Sequence, residues 1–212
     1  MKTQTPTRQS SRLSARDDFD SLRSEQEQSE RKFEVKDKSS LGQLVALYEK
    51  HISNDTAYNW DYVSEEIRKI ATREQGISAK DIQSLSRILR GYEREKVLGE
   101  SSGGFLTDCF GICRDNEITI DIRDWTVVPE SLSVRARKTV TINGNVGHIA
   151  GDKLYQGKLI INGNAKELIG WGMQSGEIHL NGEYGSIIGQ KMILGGSIFY
   201  KGKPIVLDGR VL

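Results

Sequence analysis

Cysteine is scarce: two residues in a chain of 212, too few for a disulfide framework. Long apolar runs are missing as well. No stretch of eighteen apolar residues exists to span a bilayer. The first thirty residues hold no apolar block of the kind a secretory signal needs. The expectation is a cytoplasmic protein that does not enter a membrane. Charge of one sign is lacking too, since 30 basic and 29 acidic side chains leave a net charge of +1. That balance argues against a bulk electrostatic grip on nucleic acid, and no nucleic-acid partner is expected. Catalytic motifs are missing in turn: there is no G-x-S-x-G elbow, no H-E-x-x-H and no phosphate-binding glycine loop. Gly170-Trp171-Gly172 followed by Gly176 has the wrong spacing for a dinucleotide fingerprint. No cofactor and no catalytic residue is therefore assigned, and catalysis by this chain alone is not expected.

What is present changes along the chain. Residues 1–38 are mostly Ser, Gln, Thr, Arg, Asp and Glu, with Leu13, Phe19, Leu22, Phe33 and Val35 too scattered to bury one another. They read as a disordered polar tail, basic at its start through Lys2, Arg8, Arg12 and Arg16. Residues 39–98 read as about three helices. Leu41, Leu44, Val45, Tyr48 and Ile52 share one helical face, and Trp60, Val63, Ile67, Ile70 and Ala71 repeat the pattern. Ser78 followed by Asp81 has the form of an N-terminal cap, ahead of Ile82, Leu85, Ile88, Leu89 and Tyr92. Arg87, Arg90 and Arg94 lie at the spacing of a DNA-reading helix, but Glu93 and Glu95 among them mark an ordinary solvated face. The stretch Gly99 to Gly104 (GESSGG) reads as a hinge, and residues 105–212 as a β domain.

All but three of the 22 glycines (Gly42, Gly76 and Gly91) lie after position 98, and they recur with a period. Asn143-Gly144, Asn162-Gly163 and Asn181-Gly182 are nineteen residues apart, as are Gly151, Gly170 and Gly189. Gly202, Gly209 and Leu212 continue the columns at a spacing of twenty. Within each repeat the alternation is that of a strand. Val140 and Ile142 match Leu159 and Ile161, then Ile178 and Leu180, then Ile198 and Tyr200. Further apolar columns hold Ile149, Leu168, Ile187 and Leu207, and Leu154, Met173, Met192 and Leu212. Three apolar columns between glycine corners predict a coil with three short sides, each coil stacked about 4.8 Å above the last. Asn143, Asn162 and Asn181 would then form a vertical amide ladder, broken by Lys201 in the last coil. An antiparallel sandwich with Asn-Gly hairpins is the competing reading, but hairpins give no reason for a fixed period.

The run Gly189-Gln190-Lys191-Met192-Ile193-Leu194-Gly195-Gly196-Ser197-Ile198-Phe199-Tyr200-Lys201-Gly202, with Gly170, Met173, Gly176, Ile178 and Gly182 one coil earlier, resembles the GXGXG repeat. That repeat forms the β-helix at the C-terminus of the glutamate synthase large subunit and in one of the subunits of formylmethanofuran dehydrogenase. The resemblance covers roughly residues 138–212. It implies a right-handed parallel β-helix of about four coils of 19–20 residues, serving packing and assembly, with catalysis placed elsewhere.

Two chemical candidates remain. Cys109 and Cys113 form a C-x3-C pair, a weak metal candidate because no second pair accompanies it. Ile160, His179 and Phe199, next to Trp171 and Tyr184, are expected to form an outward apolar strip. The expected function is a non-catalytic scaffold or interaction subunit. The C-terminal end of the solenoid, read as an uncapped coil, is expected to meet a protein partner or a second copy. A structural subunit of a larger redox or amidotransferase enzyme is the alternative, and a filament-forming β-helix the second.

Overall fold

The computed structural model describes residues 39–53, 60–72, 76–92, 98–185 and 195–212. The expected tail lies outside the described residues, as do Ile187, Gly189, Met192 and Arg94.

Four α-helices stand among the described residues: α1 (Ser40–Ser53), α2 (Trp60–Ala71), α3 (Ala79–Leu89) and α4 (Leu98–Ile112). Their apolar stripes face a shared core. Leu44, Val45 and Tyr48 of α1, Val63, Ile67 and Ile70 of α2, and Ile82, Leu85 and Leu89 of α3 are all buried. Ile88, expected inward, is instead 39% exposed. The cap before α3 is a full capping box. Ser78 Oγ accepts from the Asp81 N–H at 3.2 Å, and an Asp81 carboxylate oxygen accepts from the Ser78 N–H at 2.9 Å.

The expected hinge at GESSGG is instead the first half of α4. The helical region runs to Ile112, and the β domain begins at Glu117 rather than at residue 105. Packing explains the difference. A Cβ on Gly103 would sit 1.7 Å from the Glu130 carbonyl oxygen, and one on Gly104 would sit 2.5 Å from the Trp60 ring. These glycines let other parts of the chain touch the helix backbone, and burial of Phe105, Leu106 and Phe110 offsets their poor helix propensity.

Seven strands form a single sheet in sequence order: β1 (Glu117–Asp121), β2 (Thr139–Asn143), β3 (Lys158–Ile161), β4 (Glu177–Leu180), β5 (Ser197–Tyr200), β6 (Lys203–Leu207) and β7 (Arg210–Val211). The first five are parallel and in strict register, so the architecture is a β-solenoid of about four turns. Ile118, Val140, Leu159, Ile178 and Ile198 superpose in one inward column, and Ile120, Ile142, Ile161, Leu180 and Tyr200 in the next. All but Tyr200 are buried to 0–1% exposure. Each such aliphatic side chain contributes about 1.5–3 kcal/mol of transfer free energy. The stack begins one rung earlier than the nineteen-residue period indicates, because Glu117 pairs with Thr139 across a longer step. The lower edge of β1 is covered by α3, so the helices close that end, and the buried core runs unbroken from helices to coils.

The other two sides of the coil correct the expected columns in part. Leu154 and Met173 are fully buried as expected, joined by Val134. Ile149 and Leu168, however, are corner residues in the left-handed region (φ +61° and +64°), only half buried. The inward positions beside them are Leu132, Ala150 and Ile169. Asn143, Asn162 and Asn181 are not left-handed, and their role is the ladder itself. Asn162 Nδ2 donates to Asn143 Oδ1 at 2.9 Å, and Asn181 Nδ2 to Asn162 Oδ1 at 2.7 Å. A second ladder runs beside it: Asn164 N–H to Asn145 Oδ1 at 2.8 Å, and Glu183 N–H to Asn164 Oδ1 at 2.9 Å. Gly163 allows this close stacking, since a Cβ there would lie 2.1 Å from the Gly144 carbonyl oxygen.

The C-terminal end is not an open coil. β6 turns back antiparallel onto β5, and β7 antiparallel onto β6. Lys201-Gly202 (φ +47°, +77°) and Asp208-Gly209 (φ +46°, +75°) are two-residue turns with both residues left-handed, the geometry that tight hairpins prefer. Gly202, Gly209 and Leu212 therefore belong to a closing meander and not to a further repeat.

Two outcomes are expected. Leu159→Ala leaves a void amid the stacked column and lowers stability by about 2–5 kcal/mol in urea unfolding, while Gly163→Ala also destabilises because its methyl group meets backbone. On the helical side, His51 of α1 rests 4.9 Å from the Trp60 ring and 6.5 Å from Tyr48. Burial holds its imidazole below the ordinary value. The folded chain thus binds fewer protons than the unfolded chain as pH drops, so stability present above the ordinary histidine range is lost below it. The urea midpoint is expected to fall between about pH 7 and 5, and His51→Gln to flatten that dependence.

Candidate functional site

Helices α2 and α4 run side by side in the same direction. Trp60 lies against Gly104, and one turn on Ser64 Oγ donates to Asp108 Oδ2 at 2.5 Å. Beside this contact lies a cleft of about 700 Å³, lined among others by Asp61, Glu65 and Arg68 of α2, Asp108 of α4 and Arg135 of the first coil. Asp61, Ser64, Glu65 and Arg68 share one face of α2 by their three- and four-residue spacing. Glu65 is engaged by Lys69 at 3.1 Å.

Arg135 reaches the cleft because its loop is pinned from two sides. The Ser133 N–H donates to Thr107 Oγ1 at 2.8 Å, and Ser133 Oγ donates to the Asp152 carbonyl oxygen at 2.7 Å. The guanidinium then stands between two carboxylates, 4.0 Å from Asp108 Oδ1 and 3.9 Å from Asp152 Oδ2. Both separations exceed hydrogen-bond length, so the attraction is electrostatic and loose. Burial pushes the Asp152 carboxyl up from its ordinary value, with Lys153 and Arg135 acting the other way. Its Oδ1 is buried without a hydrogen-bond partner among the described residues.

Cys109 on α4 and Cys113, the residue after its end, lie four positions apart, and both are buried free thiols. Burial raises the Cys109 thiol well above its ordinary value and raises Cys113 as well. No group of three or more His, Cys, Asp or Glu side chains able to hold a metal occurs among the described residues.

The outward strip is narrower than expected. Ile160, His179 and Phe199 do align on the outer face of β3, β4 and β5, half buried. His179 stacks on Phe199 at 4.7 Å and meets Glu177 at 2.8 Å. Lys158, followed by His179, holds the Glu177 carboxyl below its ordinary value. Tyr184 is not part of this strip. It continues the inward column of Val146 and Ala165 and packs edge-on against Tyr200. Trp171 belongs to the Gly170–Gly172 corner on another side of the coil.

The cleft residues carry no sequence signature. Arg68, Asp108 and Arg135 come from segments far apart in the chain, and acids and arginines are too common for any one to stand out. Thr107 and Ser133, which position Arg135, become legible only through the hydrogen bond between them. No family model, curated protein or solved structure matches this chain.

The thiols provide a check on this placement. Neither cysteine is expected to react with iodoacetamide in the native state, and both are expected to react in urea, as read by mass spectrometry. Rapid native alkylation of Cys109 would contradict its burial.

Proposed function

We propose that this protein is a non-catalytic scaffold whose β-solenoid docks a protein partner, or a second copy of itself, through its C-terminal end. The observation that carries the reading is where the most exposed of the described large apolar side chains lie, although Tyr62, Ile88 and Tyr155 are also exposed elsewhere. Leu207, Val211 and Leu212 are 39%, 68% and 71% exposed, and all three lie in the closing meander. Beside them β7 has a strand partner on one edge only among the described residues. An unpaired edge next to apolar side chains is a template on which another chain can add a strand.

The same end is built to stop at one addition. Arg210 stands on the edge strand, and Lys203 and Pro204 lie on the stretch of β6 that β7 does not pair with. Charged and proline-bearing edges oppose open-ended stacking, which favours a closed complex over a filament. The likeness to the GXGXG repeat supports the same role, since that repeat implies a packing element.

Light scattering of the full chain at micromolar concentration is expected to give a mass above the 23.7 kDa monomer, or a stoichiometric complex with a chain co-purified from the native cell. Val211→Asp is expected to abolish that association while moving the melting temperature by no more than about 2 °C. A strict monomer with no co-eluting chain overturns the reading.

A further inference from the structure

The cleft between α2 and α4 stands apart from the docking end and is unexplained by a scaffold role. Its floor contains a glycine that packing does not require. Within α4, Gly99, Gly103 and Gly104 all face close neighbours, the backbone of Val128 and Glu130 and the Trp60 ring. Gly111 differs: a Cβ there would meet nothing within 4 Å, and its backbone is not left-handed. A glycine in a helix costs about 1 kcal/mol relative to alanine. At Gly111 no contact of the fold offsets that cost, and what the missing side chain leaves is open volume in the cleft.

The charges around that volume are underused. Arg68 and Asp61 make no side-chain hydrogen bond or ion pair among the described residues, although both border the cleft. Arg135 makes only its two loose approaches near 4 Å, so its N–H donors remain available. An anion alone would meet Asp61 and Asp108, and a cation alone would meet Arg68 and Arg135. A ligand carrying both signs meets each with its opposite. The volume of about 700 Å³ lies within the ordinary range of small-molecule sites.

We propose that this cleft binds a small zwitterion of the α-amino-acid or short-peptide class. The carboxylate lies against the Arg68 and Arg135 guanidiniums, the ammonium group against Asp61 and Asp108, and the remainder over Gly111 and Ile112. Arg135, supplied by the first coil, joins ligand occupancy to the seam between helices and solenoid.

The test is calorimetric titration of the full chain with the free proteinogenic amino acids and a set of dipeptides, each repeated as its N-acetyl and methyl-ester derivative. Saturable binding by at least one free zwitterion is expected, weakened about tenfold or more by either blocking group. Arg68→Gln and Arg135→Gln are each expected to weaken binding about tenfold. Gly111→Leu fills the floor and is expected to abolish binding while leaving the melting temperature unchanged or higher. Arg68 is exposed, so its variant reports on binding even if the leucine perturbs α4. Three results would each overturn the proposal: no binding across the panel, equal binding of the blocked derivatives, or full binding by Arg68→Gln and Gly111→Leu.

Discussion

In-register stacking of aliphatic side chains is the constraint on which the rest of this structure depends. A single rung of three or four residues buries almost nothing by itself. Placed above another at strand spacing, Val140 covers Leu159, which covers Ile178, and the column becomes dry. The backbone ladder then follows without choice, because the side chains superpose only if the strands are parallel and unshifted. The amide ladders at Asn143, Asn162 and Asn181 depend on the same register, as does the absence of a side chain at Gly163.

A stack of this kind has two ends, and each is closed by different means. At the start, α3 lies against β1, and the glycines of α4 bring that helix up to the backbone of Val128 and Glu130, close enough to share the core. At the finish the chain reverses twice, replacing parallel growth by an antiparallel meander. The change of direction needs two left-handed residues at each turn, which Lys201-Gly202 and Asp208-Gly209 supply. The second closure is less complete, and leaves apolar side chains in water beside a short strand edge. The difference between the ends gives the molecule a polarity, with helices and a charged cleft at one end and exposed apolar side chains at the other.

The cleft depends on the solenoid in turn. Arg135 is held at its rim through Ser133, which bonds to Thr107 of the helix and to Asp152 of the next coil. Loose charge pairs of this kind contribute little to stability. Their value lies in keeping donors and acceptors available next to open volume.

Much of this was determined by the chain itself. Period-two alternation within a period of nineteen specifies parallel rungs, because only stacked coils need equal columns; Val140, Leu159, Ile178 and Ile198 could be aligned from spacing alone. The capping pair Ser78 and Asp81 and the stripes of α1 and α2 were equally legible, being local. Tertiary contact decided the remainder. Gly99 to Gly104 has the composition of a hinge, and becomes a helix only because Glu130 and Trp60 occupy the space its side chains would fill. Gly202 and Gly209 keep the columns of the repeat yet form hairpins, since a periodic glycine does not state which turn it serves. The meeting of Arg68, Asp108 and Arg135 was invisible for a plainer reason: a charge pattern assembled from three distant segments leaves no periodic trace in any one of them.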